Sequence, residues 1–305
     1  MDSLLSNEDL FAAAGRYGYL HPSYAESFVE AGEVRHLRRS GTWMLTRPIA
    51  GSDRHDAVLG YPRLISRDWV GLVEDLADTA ALADVVTVTA VTDALANVDE
   101  EVLRPAFGDL VRVEAQHYIA DLVRFWPSRD HRRAVRGALQ SVDVEVEDAP
   151  GAFLDRWQEV SSQTLPGASM GLSDEALARQ LALPGCVGFT VLAEDGPVAA
   201  AVIYVSGEVA YLHAMDATEQ GDQLGARYAL VQTMVEDMAG RGLGYLDLGA
   251  SREDAAFMDG WTELVRPAYR CGRVVDRVAH DELAAATGTA GSMHFPCYRD
   301  PAAAR

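Results

Sequence analysis

The sequence predicts an α/β (α+β) chain of two tandem domains, with mixed, mainly antiparallel sheets flanked by helices. Three observations carry this reading. Residues 187–193, 198–205 and 209–214 are short apolar runs separated by Glu194-Asp-Gly-Pro197 and Ser206-Gly-Glu208, turn signals that predict an antiparallel meander. A long helix is predicted next, over about 224–241 and closed by Gly242, and then a strand over 245–248. The chain is 305 residues long with 49% hydrophobic content, enough for two cores of ordinary size, and the division is expected at 1–145 and 146–305.

The remaining elements follow from periodicity. The chain opens with a predicted helix over 7–15. An aromatic stretch with Tyr17, Tyr19, His21, Pro22 and Tyr24 then reads as a shaped surface loop. A strand is predicted over 43–49. Trp69, Leu72, Val73, Leu76 and Ala80 repeat at helical spacing across 67–83, and valine alternates with threonine and alanine over 85–91, which suits a strand. Further on come a strand at 117–123, a helix at 129–140, a strand at 142–146 and a helix at 153–163.

Composition removes several functions. The formal charge is −20, and all 26 basic residues are arginine. With no lysine there can be no Schiff base, no Walker phosphate-binding lysine and no lysine general base. So acidic a chain does not capture nucleic acid broadly, so DNA is not an expected partner and any RNA contact must be local. Cys186, Cys271 and Cys297 are odd in number and widely spaced, and they suggest neither a disulfide framework nor a metal site. No apolar run reaches the length of a membrane span, and the first residues lack a secretory pattern. No membrane association and a cytoplasmic location are therefore expected.

Three stretches carry a family resemblance. Arg132-Arg-Ala-Val-Arg-Gly-Ala138, followed by Val142-Asp-Val-Glu-Val146, is the first. The second is Ala210-Tyr-Leu-His-Ala-Met-Asp-Ala217, then Leu224-Gly-Ala-Arg-Tyr-Ala-Leu230, then Gly244-Tyr-Leu-Asp-Leu-Gly-Ala-Ser251. The third runs from Asp259-Gly-Trp261 to Phe295-Pro-Cys-Tyr-Arg299. In this order they resemble the Fem-type aminoacyl (peptidyl) transferases, whose two halves are GNAT-like. The resemblance covers roughly 110–299, and before that only Leu59-Gly-Tyr-Pro62 matches, loosely. It implies a degenerate GNAT-like first domain, a catalytic second domain, and transfer of an amino acid from aminoacyl-tRNA to the amine of a small metabolite, with no further cofactor. Where many members of the family read Phe-Lys, this chain reads Leu264-Val-Arg266, which makes Arg266 the candidate to stabilise developing negative charge. An acyl-CoA-dependent N-acyltransferase is the alternative, and a degenerate GNAT-like binding protein is a further one.

Amide formation needs a neutral amine, a stabilised oxyanion and a proton for the leaving group. Strand alternation puts Tyr211 and His213 on one face, making His213 the candidate to accept or relay that proton. Asp216 and Asp247 are candidates to orient the amine, and Tyr61, Tyr211, Trp261 and Tyr269 to line a substrate cleft between the halves. Arg129, Arg132, Arg133 and Arg136 recur at helical spacing, forming either a phosphate-holding patch for the tRNA acceptor end or a solvated face paired with Glu145, Glu147 and Asp148. For an acyl-CoA donor, Gly225 and Arg227 would open a phosphate-binding helix. The preceding Gln220-Gly-Asp-Gln-Leu-Gly225 has Gln223 in place of a glycine, and Asp222 would oppose a pyrophosphate there.

Overall fold

The computed structural model describes residues 18–66, 68–80, 82–148, 150–164, 173–250 and 255–304. The helix expected at 7–15 lies outside them, as does Tyr17. A single turn at Gly18–Leu20 leads into α1 (Pro22–Glu26). Then follow β1 (Glu33–His36), β2 (Trp43–Pro48), β3 (His55–Leu64), α2 (Trp69–Ala77), β4 (Val85–Thr92), α3 (Glu100–Leu103), β5 (Leu110–Asp121) and α4 (Arg129–Ala138). After β6 (Asp143–Glu147) come α5 (Pro150–Ser162), α6 (Asp174–Leu181), β7 (Cys186–Ala193), β8 (Gly196–Ser206), β9 (Val209–Ala217), α7 (Glu219–Leu224) and α8 (Ala226–Gly240). The chain finishes with β10 (Tyr245–Asp247), α9 (Ala255–Asp259), β11 (Val265–Val274) and α10 (Arg277–Ala286).

Mixed sheets flanked by helices are what the sequence predicts, and the β7–β8–β9 meander is antiparallel throughout. The compact units differ from the two sequence halves. One joins Phe28–Ala115 to Pro267–Arg305, and the other joins Gln116–Arg266 to the described part of Asp9–Ser27. The midpoint at 145 falls inside β6, which is bonded along its length to β7 and so belongs with the meander.

In the first unit the strands run in the order β1, β2, β3, β4, β11, antiparallel except for the parallel pair β3 and β4. Helix α2 bridges that pair. Its first turn is capped by Asp68, whose side chain accepts from Val70 N, and Trp69, Leu72 and Leu76 face the core. Strands β3 and β11 were not legible in the sequence. Gly60 and Pro62 interrupt the first, and Pro267 and Gly272 interrupt the second, so their periodicity is broken.

In the second unit the order is β5, β10, β9, β8, β7, β6, again antiparallel except for one parallel pair, β9 and β10. Helices α7 and α8 make that crossover. Ala226, Ala229, Leu230, Val231, Met234, Val235 and Met238 bury one side of α8 against Ala199, Ala201, Ile203, Ala210 and Leu246 of the sheet. Each large side chain so buried contributes roughly 1.5–3 kcal/mol. Helix α4 packs on this same face through His131, Val135 and Ala138, spaced i, i+4, i+7. The opposite face is covered by α5 and by the 18–20 turn, and α6 packs against both α1 and β7.

Candidate active site

A β-bulge decides what the second face of that sheet presents. Tyr211 pairs with Tyr204 and Leu212 with Ile203, but Ala214 pairs with Val202 and Asp216 with Ala200, so β9 carries one extra residue at His213. Simple alternation would turn Asp216 to the other face. The extra residue instead returns Ala214 and Asp216 to the face that Tyr211 shares with Tyr204.

His213 sits in an aromatic cage. Its ring centroid is 4.9 Å from that of Tyr204, 5.6 Å from Tyr19 and 6.3 Å from Tyr24, and its Nδ1 is 3.0 Å from the Tyr19 hydroxyl. Tyr19 and Tyr24 are therefore core residues, 1% and 0% exposed, and not the surface loop that neighbouring glycine and proline suggested. Tyr204 donates to the Gln180 carbonyl, which anchors the cage to α6. Burial pushes the Tyr204 phenol far above its ordinary pKa, so it stays neutral.

Two strands away lies a second histidine that sequence reasoning placed in a strand but not in a site. His117 Nδ1 is 3.0 Å from both carboxylate oxygens of Asp247. Asp247 is fully buried, and its Oδ1 also accepts from Gly249 N at 2.7 Å. A buried carboxylate bonded to one imidazole nitrogen orients the ring and fixes which nitrogen faces outward. Parallel pairing sets Asp247 level with Tyr211, so this dyad shares the face of the cage.

The segment leading to Arg266 is bonded to β5. Ile119 N donates to the Leu264 carbonyl, and Thr262 Oγ1 donates to the Ile119 carbonyl. Farther along the same strands Arg270 pairs with Glu114, so the two segments run antiparallel and Arg266 stands level with His117. Arg266 Nε is buried with no hydrogen-bond partner among the described residues. Burial raises the Tyr245 phenol, as does the Asp121 charge, while the charges of Arg124 and Arg266 lower it.

The arginines of α4 lie on its outer side. Arg129, Arg133 and Arg136 are exposed and have neither ion pair nor hydrogen bond among the described residues. Glu145 and Glu147 pair instead with Arg156, and Asp148 with Arg241, so the solvated-face reading lacks its expected carboxylates. Arg132 donates to the Pro127 carbonyl and lies 4.4 Å from the Trp126 ring centroid.

The start of α8 is differently furnished. Gly225 takes φ +75 as the shared cap of α7 and α8, and a Cβ there would lie 3.3 Å from that of Ala138. The stretch before it is a helix, capped by Thr218. Arg227 Nε is 2.9 Å from Asp222 Oδ1. Burial raises the pKa of the Asp216 carboxyl, and the charge of Arg227 lowers it.

Residues 128–257, within the second unit, match the family model described as an acetyltransferase (GNAT) domain. In sequence this unit is similar to a GNAT domain. Among solved structures, FemX superposes with a TM-score of 0.65 at 12% identity, covering 92% of this chain and 98% of that one. The L-PGS structure from Bacillus licheniformis gives 0.56 at 16%, covering 83% and 91%. The DUF2156 C-terminal domain of a putative lysylphosphatidylglycerol synthetase from Agrobacterium fabrum gives 0.60 at 16%, covering 92% and 97%. No curated protein sequence matches the chain. The fold is thus Fem-type and GNAT-like, and with the family match it supports an acyl-transferring enzyme.

Within the second unit the fold sets four sequence candidates, His213, Asp216, Asp247 and Tyr211, on one face of the sheet. Two of the proposed cleft residues are corrected. Trp261 is 1% exposed, stacked on Phe125 and edge-on to His131, so it is core and not an open aromatic wall. Tyr211, also 1% exposed, packs on Tyr19 and shapes the cage from behind. Tyr61 and Tyr269 belong to the first unit. There Tyr61 is 41% exposed beside Phe28, and Tyr269 is half-buried, its backbone N donating to Thr92 Oγ1. The three thiols are buried, and burial pushes Cys186 and Cys271 up to about 12, which leaves them unreactive. No helix among the described residues is long and apolar enough to cross a membrane.

Proposed function

We propose that the chain transfers an amino acid from aminoacyl-tRNA to the amine of a small metabolite, forming an amide. One observation carries the choice of donor. In a chain of charge −20, the α4 arginines are left without carboxylate partners, while Arg227, where an acyl-CoA pyrophosphate would bind, is held by Asp222. Cations left free in so acidic a protein are poised for phosphates.

The chemistry then falls to the dyad. Asp247 holds His117 with its second nitrogen toward the acceptor, and His117 takes a proton as the amine attacks the ester carbonyl carbon. Arg266 stabilises the oxyanion, and the proton passes to the departing ribose oxygen as the ester C–O bond breaks. His213 and Asp216 stand on the same face to hold the acceptor amine. The family match and the Fem-type fold support acyl transfer in general; the donor and acceptor rest on the residues named here.

The test is to incubate the protein with total charged tRNA and a pool of small amines, with and without RNase, and to follow amide products by mass spectrometry. RNase-sensitive products support the reading. Products formed only with acyl-CoA would replace it with the alternative donor.

A further inference from the structure

Asp216 and His117 make demands on an amine that one nitrogen cannot meet. The attacking amine must be neutral, because its lone pair forms the new C–N bond and His117 takes the proton it sheds. An amine held by a carboxylate stays protonated and has no lone pair to offer. Asp216 can serve the attacking nitrogen only if that nitrogen lies within reach of both side chains.

The register keeps them apart. Ile119 pairs with Asp247, and Asp247 with Tyr211. Past the end of β10 the ladder to β5 continues, with Tyr118 N donating to the Gly249 carbonyl at 2.9 Å. Two residues beyond the level of Asp247 stand His117 on β5 and His213 on β9, level with each other on one face. Asp216 lies three residues farther along β9 on that same face. Two strand spacings across and three residues along put His117 and Asp216 roughly 14 Å apart at the backbone, and with side chains standing off the sheet no single nitrogen bonds to both.

Asp216 is furnished for a cation of its own. It is half-buried and makes neither ion pair nor hydrogen bond among the described residues. Arg227, whose charge acts on it, is bonded to Asp222. Burial raises the Asp216 carboxyl, the cost of a charge held away from water, and a bound ammonium would offset it. Ala214 stands between His213 and Asp216 on this face, small enough to let an alkyl chain lie along the strand.

We infer that the acceptor is a diamine: one amine, neutral, attacks beside His117, while the other, protonated, is held by Asp216, with the connecting chain over His213 and Ala214. This rests on the amide-forming reading and names the class of its acceptor.

The experiment measures amide formation with α,ω-diaminoalkanes of graded length and with the amino alcohols of matching length, using total charged tRNA and, separately, acetyl-CoA as donor. Diamines should exceed their amino alcohols in kcat/KM by about tenfold or more, as when a charged hydrogen bond is gained, and the preference should peak at one chain length. General attraction of cations to an acidic protein gives no such peak. Asp216→Asn should remove the preference mainly through KM, and Asp216→Glu should keep it with the peak moved to a shorter diamine; circular dichroism confirms that both fold. If amino alcohols serve as well as diamines, or if Asp216→Asn keeps the preference, the diamine assignment is wrong and the donor reading stands. Products formed only from acetyl-CoA contradict the tRNA donor, and the preference measured with that donor still decides the acceptor. If neither donor yields product, the amide-forming reading fails, and calorimetric titration of the diamines decides the site: tighter binding to the parent than to Asp216→Asn supports it, and equal binding overturns it.

Discussion

His117 Nδ1 faces both oxygens of the Asp247 carboxylate at 3.0 Å, across 130 residues of sequence and two adjacent strands. If this pair moves the proton in amide formation, His117→Ala should lower kcat by about 100-fold or more with little change in KM. Asp247→Asn should give a smaller loss, because the imidazole remains but is no longer held in one tautomer. Steady-state kinetics on both variants, with circular dichroism to confirm folding, is the check. Near-normal turnover in folded His117→Ala would return the pair to a structural role.

Asp216 supplies a pH dependence. Burial raises its carboxyl above the ordinary range, against the lowering effect of Arg227. The folded state therefore holds that proton more tightly than the unfolded chain, and stability from this group is full at low pH and lost as pH rises through the folded pKa. Asp216→Asn removes the buried charge. It should melt higher than the parent at pH 7, and the difference should shrink as pH falls toward 4. A difference that stays constant across this range would show that the carboxylate carries no burial penalty.

Gly260 approaches α4 more closely than any other residue type could. A Cβ there would lie 1.9 Å from His131 Cε1, and that ring is fixed by hydrogen bonds to Ser128 Oγ and the Phe257 carbonyl. Gly260→Ala should destabilise the fold by about 1–3 kcal/mol, read as a lower urea midpoint. An unchanged midpoint would mean that this close approach relaxes freely.

How far the sequence could be read follows from particular residues. The meander and α8 were visible because their apolar periods are unbroken and their turns carry glycine. The bulge at His213 has no local signature, so alternation alone could not show that Asp216 faces the cage. His117 looked like one polar residue at the start of an apolar strand. Its partner lies in a different motif, and only pairing through β10 and β5 joins them. A buried aspartate within Tyr-Leu-Asp-Leu does signal that some donor must satisfy it, but not which one. The α4 arginines were legible as a face by spacing, whereas their lack of partners depends on where Arg156 and Arg241 reach.

The account turns on the donor, and the most direct measurement is the salt dependence of amide formation from charged tRNA. Parent protein should lose activity steeply as salt rises. Changing Arg132, Arg133 and Arg136 together to glutamine should weaken tRNA use and flatten the log–log slope by a little under one unit for each phosphate no longer held. Arg227→Gln, which removes a cation already paired with Asp222, should leave the slope as it is. If the triple variant uses charged tRNA like the parent at every salt concentration while Arg227→Gln abolishes use of an acyl-CoA donor, the tRNA account is contradicted.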